Sequence, residues 1–155
     1  MGNLGFGNLS GNLIDLVIDG LASLVRGAGA IVSEQSDALR ARATKFALNV
    51  MRFVDGLPRE DHAQYLGRQL SRSANSVAAN YRSACRARSR AEFVSRMGVV
   101  AEESDESAHW LDMLAARGHA ANFSAQQLRT EAHELEAIFS ASHHTARRNL
   151  RQHRG

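Results

Sequence analysis

Proline occurs only once in this chain of 155 residues, at Pro58, and leucine and alanine make up most of the apolar residues. Proline interrupts helices, and folds built from short strands need frequent proline- and glycine-rich turns. A chain with one proline and many strong helix formers therefore predicts an all-α fold. Its length allows one domain with a core of its own.

Four segments carry apolar residues at intervals of three and four, the spacing of a helix that buries one face. The predicted helices are residues 37–55, 59–86, 90–117 and 124–146. The predicted inward-facing residues are Leu39, Ala43, Phe46, Ala47, Val50, Phe53, Val54, Leu66, Leu70, Ala74, Val77, Ala78, Tyr81, Phe93, Met97, Val100, Ala108, Leu111, Leu114, Leu128, Ala132, Leu135, Ile138 and Phe139.

Helix ends are marked by capping residues. Ser89 with Glu92, and Ser124 with Gln127, have the spacing of a capping box, in which the serine hydroxyl accepts a hydrogen bond from the third residue of the helix. Phe123, just before the second serine, is predicted to pack onto the first turn of its helix. These signals predict helix starts just after residues 89 and 124.

The connections between these helices span about two to seven residues, which forces consecutive helices to run antiparallel. The sequence predicts an up-down-up-down four-helix bundle over residues 37–146. Residues 1–36 precede it as a glycine-rich lead and an amphipathic helical extension. Residues 147–155 form a basic tail that is predicted to fray.

The extension contains a predicted amphipathic helix at residues 12–32. Its apolar stripe includes Leu13, Val17, Leu21 and Leu24. Its opposite face carries Asp15, Asp19 and Arg26, charges that make bilayer insertion costly, so no transmembrane segment is predicted. Such a helix packs on its own bundle, docks into the groove of a protein partner, lies on a membrane surface or drives assembly. The acidic polar face favours protein contact over anionic lipid.

Arginine supplies nearly all of the positive charge, because the chain has a single lysine. A first cluster lies where the second helix turns into the third and contains Arg82, Arg86, Arg88 and Arg90. A second cluster in the tail contains Arg147, Arg148 and Arg151. Guanidinium groups suit phosphate, so the clusters predict salt-sensitive, sequence-tolerant nucleic-acid binding. The alternative is that the turn arginines pair with acidic residues of the following helix, or of the same helix in a neighbouring subunit, namely Glu92, Glu102, Glu103, Asp105 and Glu106.

Residues able to run a reaction are scarce. Cys85 is the only cysteine, and as a nucleophile it would need a base such as His109 held beside it. Glu106 and His109 share the Glu-x-x-His spacing of di-iron bundles, but such sites need a second copy of the motif. The sequence therefore predicts no enzyme, no cofactor and no metal site. A single cysteine and no recognisable secretion signal indicate a reducing cytoplasm.

Three segments resemble the four-helix bundle protein family, also called the 23S ribosomal RNA intervening-sequence proteins. They are "FALNVMRFVDGLP", "GRQLSRSANSVAANYRSACRARSRAEF" and "VVAEESDESAHWLDML", and the resemblance covers residues 37–138. The positions that match the family's turn motif and acidic helix are Asn80, Tyr81, Arg82, Arg86, Arg88, Arg90, Glu92, Phe93, Glu102, Glu103, Asp105, Glu106 and Trp110. This chain departs from the family in its 36-residue N-terminal extension.

The resemblance implies a four-helix bundle that assembles into a ring, commonly a homopentamer, with no known enzymatic activity. The family also resembles, more distantly, the accessory protein of diversity-generating retroelements, a basic pentameric bundle that binds nucleic acid. Together with the arginine clusters, this favours a non-enzymatic, homo-oligomeric accessory protein that binds nucleic acid. The alternative function is a scaffold or assembly protein in which residues 12–32 dock a protein partner.

Overall fold

The computed structural model describes residues 34–152, which fold into four helices joined by short connections. The helices are α1 (Glu34–Asp55), α2 (Asp61–Ala84), α3 (Arg90–Ala116) and α4 (Phe123–Gln152). No strand occurs within the described residues, and the all-α prediction is confirmed. The predicted helix at residues 12–32 lies outside the described residues together with its docking side chains, Leu13, Val17, Leu21 and Leu24. Residues 153–155 lie outside them as well.

One hydrophobic core is formed by the inward stripes of all four helices. Inside this core the Tyr81 ring of α2 meets the Phe139 ring of α4, with centroids 5.0 Å apart and planes tilted by 49°. The predicted inward residues are buried, except that Phe53, Val54 and Ala78 are only partly buried at the edge of the core. Each helix keeps a polar face, and none within residues 34–152 is long and apolar enough to cross a membrane.

Contacts between consecutive helices fix their direction and register. Ser107 Oγ donates a hydrogen bond to Ser73 Oγ over 2.9 Å, which joins α3 to α2 inside the core. A Cβ atom built on Gly98 of α3 would lie 3.3 Å from Nε2 of His143 on α4, so these helices approach closely there. Gly67 of α2 lies against the end of α1, where an added Cβ would come within 2.8 Å of a leucine methyl group. The antiparallel bundle is confirmed.

Two ends of the bundle follow from this topology. The last residues of α2 and α4 and the first residues of α1 and α3 share one end, because the helices alternate in direction. The connections at residues 56–60 and 117–122 lie at the opposite end. The segments that carry the two arginine clusters therefore belong to the same end of the molecule.

The boundaries of α3 match the sequence prediction. Ser89 Oγ accepts a hydrogen bond from the Glu92 backbone N–H over 3.1 Å, as a capping box requires. The Glu92 carboxylate accepts a hydrogen bond from the backbone N–H of Arg88, whereas in a complete capping box it would accept one from the N–H of the cap residue, Ser89. Gly118 ends the helix with φ of 80°, a left-handed conformation that favours glycine.

The prediction for the start of α4 was wrong by two residues. Asn122, not Ser124, caps the helix, since Asn122 Oδ1 accepts a hydrogen bond from the Ala125 N–H over 2.8 Å. An asparagine is as good a cap as serine, and here it satisfies the Ala125 N–H in place of the Gln127 N–H that Ser124 was predicted to bind. Phe123 is consequently the first helical residue, and it is 75% exposed instead of packing onto the first turn.

Helix α4 also continues further than predicted, through residues 147–152. These residues include arginine, leucine and glutamine, which are good helix formers. Arg151 lies in the last turn, where a cation interacts favourably with the negative end of the helix dipole. The described part of the basic tail is therefore a helical continuation of the bundle, which fixes the positions of its arginines.

Candidate nucleic-acid interface

The turn between α2 and α3 presents the first arginine cluster. Past the end of α2, the N–H groups of Arg86 and Ala87 each bond to the carbonyl three residues earlier, which winds the chain tightly before α3 begins. This turn leaves the side chains of Arg82, Arg86 and Arg88 exposed and that of Arg90 half-buried. A short, tightly wound turn thus holds four guanidinium groups at the surface of one bundle end.

The end of α4 brings the second cluster beside the first. Gly98 and His143 are in contact, and they lie eight residues from Arg90 and Arg151 respectively, both in the direction of this end. At 1.5 Å per residue, each arginine lies about 12 Å further along its helix, so the two are nearly level. We call this surface the cationic end. Its arginines are Arg82, Arg86, Arg88 and Arg90 of the turn and Arg147, Arg148 and Arg151 of α4.

The arginines of the cationic end have no acidic partner among residues 36–152, because no carboxylate of that range lies within ion-pair distance of any of the seven. Glu103 and Glu106 of α3 are engaged elsewhere, and Glu102 and Asp105 make no ion pair within the described residues. The Arg72 guanidinium of α2 forms ion pairs with Glu106, over 2.6 Å from Nη2 to Oε2, and with Glu103, over 3.6 Å from Nη1 to Oε1. Both pairs lie away from the turn. Within the described part of one subunit, the alternative in which the turn arginines pair with the acidic residues of α3 is therefore not realised.

Glu92 is the acidic residue closest in sequence to the turn, and it is also occupied. Its carboxylate accepts the Arg88 backbone N–H over 2.9 Å and the Arg96 guanidinium over 2.9 Å. The Arg88 N–H and the Arg96 side chain together hold the pKa of Glu92 below its usual range. The Glu92 charge therefore stabilises the helix start and Arg96, and it also attracts the Arg88 guanidinium without forming an ion pair with it. The turn still carries four arginines for this one carboxylate and keeps an excess of positive charge.

Aromatic platforms for stacking bases are missing from the described cationic end. Tyr81, Phe93 and Phe139 are the aromatic residues nearest to it, and all three are buried. Burial also raises the pKa of the Tyr81 hydroxyl, which stays neutral. Binding of single-stranded bases by stacking needs exposed rings, so the described surface offers charge contacts to phosphate instead.

The candidate catalytic residues are not arranged for chemistry. Cys85 packs at the edge of the core, and burial raises the pKa of its thiol, which opposes formation of the reactive thiolate. His109 contacts the ring of Trp110, with centroids 4.8 Å apart. Glu106, the acidic member of the Glu-x-x-His spacing, is bound to Arg72. Among residues 34–152, no group of three histidine, cysteine or carboxylate side chains is placed to hold a metal ion.

His143, which lies near the tail, adds little positive charge to the cationic end. The sequence predicts that the histidines near the tail gain charge on acidification and so strengthen binding of polyanions. His143 is half-buried between α3 and α4, and burial, followed by the nearby charges of His144 and Arg147, lowers its pKa. His143 therefore remains neutral at pH values where an exposed histidine is already charged, and it contributes little to this predicted effect.

Sequence reasoning located all seven arginines but missed the residues that leave them unpaired. Arg96 could have been recognised, because it follows Glu92 at the i, i+4 spacing of a helical ion pair. Arg72 could not, since its partners lie 31 and 34 residues later and meet it only through the register of α2 against α3. Because of this register, Glu103 and Glu106 neutralise Arg72 on the side of the bundle and not the arginines at its end.

Fold and surface together define a class: an antiparallel four-helix bundle with one arginine-rich end. The chain belongs to the family described as 23S rRNA-intervening sequence protein, which matches residues 37–141. The predicted resemblance is thereby confirmed. The matched region contains the turn arginines, whereas residues 1–36 and the arginines of the α4 end lie outside it.

A solved structure supports the fold. The chain is similar to a protein of unknown function from the S23 ribosomal protein family of Bacteroides thetaiotaomicron, with 22% sequence identity and a TM-score of 0.62. The similarity covers 68% of this chain and 94% of that protein. At this identity the likeness concerns the fold alone. A comparison with curated proteins finds no match.

Proposed function

We propose that this protein is a non-enzymatic, self-associating accessory protein that binds nucleic acid through its cationic end. One observation carries the proposal: seven arginines from the turn and from α4 lie at the same end of the bundle without a carboxylate partner among the described residues. Guanidinium groups bind phosphate oxygens in pairs of hydrogen bonds and release counterions from the polyanion. Such a surface favours a nucleic-acid backbone over a neutral ligand.

The expected ligand chemistry is a phosphate backbone without base recognition. The described cationic end offers no exposed phenylalanine, tyrosine or tryptophan ring, and its cationic donors are mainly guanidinium groups, so its contacts are expected to favour the phosphate backbone over particular bases. The family is described by reference to 23S rRNA, which supports RNA as the first ligand to test, with DNA of the same length beside it.

Self-association would multiply this surface. In a cyclic ring, equivalent ends of all subunits lie on the same rim, so the arginine clusters would be repeated around it. Exposed apolar side chains, among them Val99 and Met113, give the helices surfaces able to contact another copy. Native mass measurement of the full chain at micromolar concentration is expected to give a multiple of 16.9 kDa, five for the implied ring. A mass of a single chain would contradict self-association and leave the binding proposal standing.

Replacement of three cationic-end arginines tests binding. We expect the Arg86→Ala, Arg88→Ala, Arg148→Ala triple variant to bind labelled RNA about 100-fold more weakly than the parent at about 50 mM salt, because three phosphate contacts are lost. Fluorescence anisotropy with RNA and DNA of matched length measures the change. All three side chains are exposed and lack an acidic partner among residues 36–152, so the fold should be unaffected.

The matched control removes the same charge from the rest of the bundle. Arg59, Arg68 and Arg117 are exposed, lack an acidic partner among residues 36–152, and lie in or near the opposite end. Their triple alanine variant should bind within about threefold of the parent, because it lowers only the overall charge. Equal loss in both triple variants, or no binding by the parent at about 50 mM salt, would contradict the proposed interface.

A further inference from the structure

Arg88 lies between two hydrogen-bonded segments of the turn. Before it, the Arg86 N–H bonds to a carbonyl of α2 over 3.0 Å. After it, Ser89 caps α3 and accepts the Glu92 N–H over 3.1 Å. The Arg88 N–H belongs to neither of these sets. The position of the turn relative to α3 therefore depends on what this N–H group binds.

The Glu92 carboxylate binds the Arg88 N–H and is itself held in place. Its Oε2 atom accepts the Arg88 N–H over 2.9 Å. Its Oε1 atom accepts two donors of Arg96, Nε over 3.1 Å and Nη2 over 2.9 Å. The two oxygens therefore have different partners: Arg96 fixes the orientation of the carboxylate, and the Arg88 N–H joins the turn to α3 through it. We call these contacts the Glu92 clasp.

The Glu92 clasp places a negative charge at a surface that otherwise attracts polyanions. Electrostatics alone disfavours this arrangement, because a carboxylate beside the turn weakens the attraction of phosphate. The carboxylate also neutralises Arg96, which would otherwise add a free cation near the turn. A benefit of Glu92 to RNA binding can therefore come only from the geometry that it fixes.

We propose that Glu92 is a positioning residue of the nucleic-acid interface, because its bond to the Arg88 N–H holds the turn arginines in the geometry that contacts a phosphate backbone. The inference rests on the proposed function and names the residue that orders its interface. A surface that is ordered beforehand binds more tightly, since the apparent affinity scales with the fraction of molecules that already have the binding geometry. Glu92 thus strengthens RNA binding although its charge has the same sign as that of the ligand.

Two substitutions of Glu92 separate geometry from charge. Glu92→Gln and Glu92→Ala both remove one negative charge and the ion pair with Arg96, but only glutamine keeps an oxygen that accepts the Arg88 N–H. We expect Glu92→Gln to bind labelled RNA about threefold more tightly than the parent at about 50 mM salt, because the surface gains positive charge. We expect Glu92→Ala to bind about tenfold more weakly than Glu92→Gln, and hence more weakly than the parent, because the turn loses its link to α3.

The same two substitutions at Glu102 are the matched control. Glu102 lies on α3, is exposed and forms no ion pair among residues 36–152. Glu102→Gln and Glu102→Ala should bind RNA within about twofold of each other, because they change the charge equally. Equal affinities of the two Glu92 variants would overturn the positioning role. A difference at Glu102 as large as that at Glu92 would also overturn it, because it would reflect a general effect of alanine against glutamine.

Exchange of the Arg88 amide proton reports on the Glu92 clasp without RNA. We expect this amide to exchange about tenfold faster in Glu92→Ala than in the parent, and at nearly the parent rate in Glu92→Gln, because only alanine leaves the N–H open to water. Nuclear magnetic resonance measures the rate, and the amides of buried residues of α2 and α3 should exchange as in the parent. An unchanged rate at Arg88 in Glu92→Ala would overturn the clasp. Faster exchange throughout the core would assign Glu92 to the stability of the fold and overturn the positioning role.

Failure of this inference differs from failure of the proposed function. If the parent binds no RNA at about 50 mM salt, both are overturned. If the parent binds RNA and the triple arginine variant binds it more weakly, but the two Glu92 variants bind alike, the interface stands. The positioning role of Glu92 alone is then overturned.

Discussion

Replacing Phe139 by alanine is expected to lower the free energy of unfolding by about 3–5 kcal/mol, the usual cost of removing a fully buried phenyl ring. Phe139 has no exposed surface, and its ring lies 5.0 Å from that of Tyr81. The substitution leaves a cavity where α4 meets α2 across the bundle and also removes the ring pair. Chemical denaturation followed by circular dichroism measures the change.

Two further variants show whether packing at this point is responsible. Phe139→Leu keeps most of the volume and should cost less than about 1.5 kcal/mol. Tyr65→Ala removes an aromatic ring that is 50% exposed, and it should cost no more than about 0.5 kcal/mol. If Phe139→Ala changed stability no more than Tyr65→Ala, the Tyr81–Phe139 contact would not contribute to the stability of the core.

The affinity for RNA is expected to fall about 10³-fold between about 50 and 200 mM salt, if six of the seven cationic-end arginines each neutralise one phosphate. The logarithm of the binding constant should then decrease with the logarithm of salt concentration with a slope of about −5. This steep dependence follows from counterion release, because each phosphate contact frees condensed cations into solution.

The slope also separates the cationic end from general charge attraction. Removing Arg86, Arg88 and Arg148 should make the slope shallower by about three units, because three contacts disappear. Removing Arg59, Arg68 and Arg117 should leave it within about one unit. A parent slope shallower than about −1 would mean that few phosphates are neutralised, and it would argue against the seven arginines as the contact surface.

The fold could be predicted almost completely from the sequence. Apolar residues at helical spacing identified the core because a bundle buries one stripe per helix, and only Phe53, Val54 and Ala78 proved partly covered. Those three lie at the margins of the stripes, where the exact tilt of neighbouring helices decides exposure. Periodicity carries no information on that tilt.

Helix ends were predicted less accurately than the core, because one predicted cap is confirmed and the other is wrong. Ser89 caps α3 as expected, because its competitor residues are arginines, which cannot accept a backbone N–H. At α4 two good caps, Asn122 and Ser124, lie two residues apart, and local pattern does not rank them. In the structure Asn122 is the cap, and Phe123, the first helical residue, is consequently exposed to solvent.

The sequence showed which arginines belong to the candidate site, but it did not show whether acidic residues of the same subunit neutralise them. Arginine-rich turns beside acid-rich helices can form internal ion pairs or leave a charged surface, and spacing along the chain does not choose between them. The choice depends on Arg72, which takes Glu103 and Glu106 because α2 and α3 pack with Ser73 opposite Ser107. A register shift of one turn would have changed the partners.

Because α1 begins and α4 finishes at the cationic end, the polypeptide enters and leaves the bundle beside the surface proposed to hold RNA. Only three residues follow α4, so whatever is fused after residue 155 is tethered there, at an effective concentration in the millimolar range for a short flexible linker. An affinity tag at that position would compete for, or shield, that surface. The connections at residues 56–60 and 117–122 are the places where a fluorescent label would report binding without touching it.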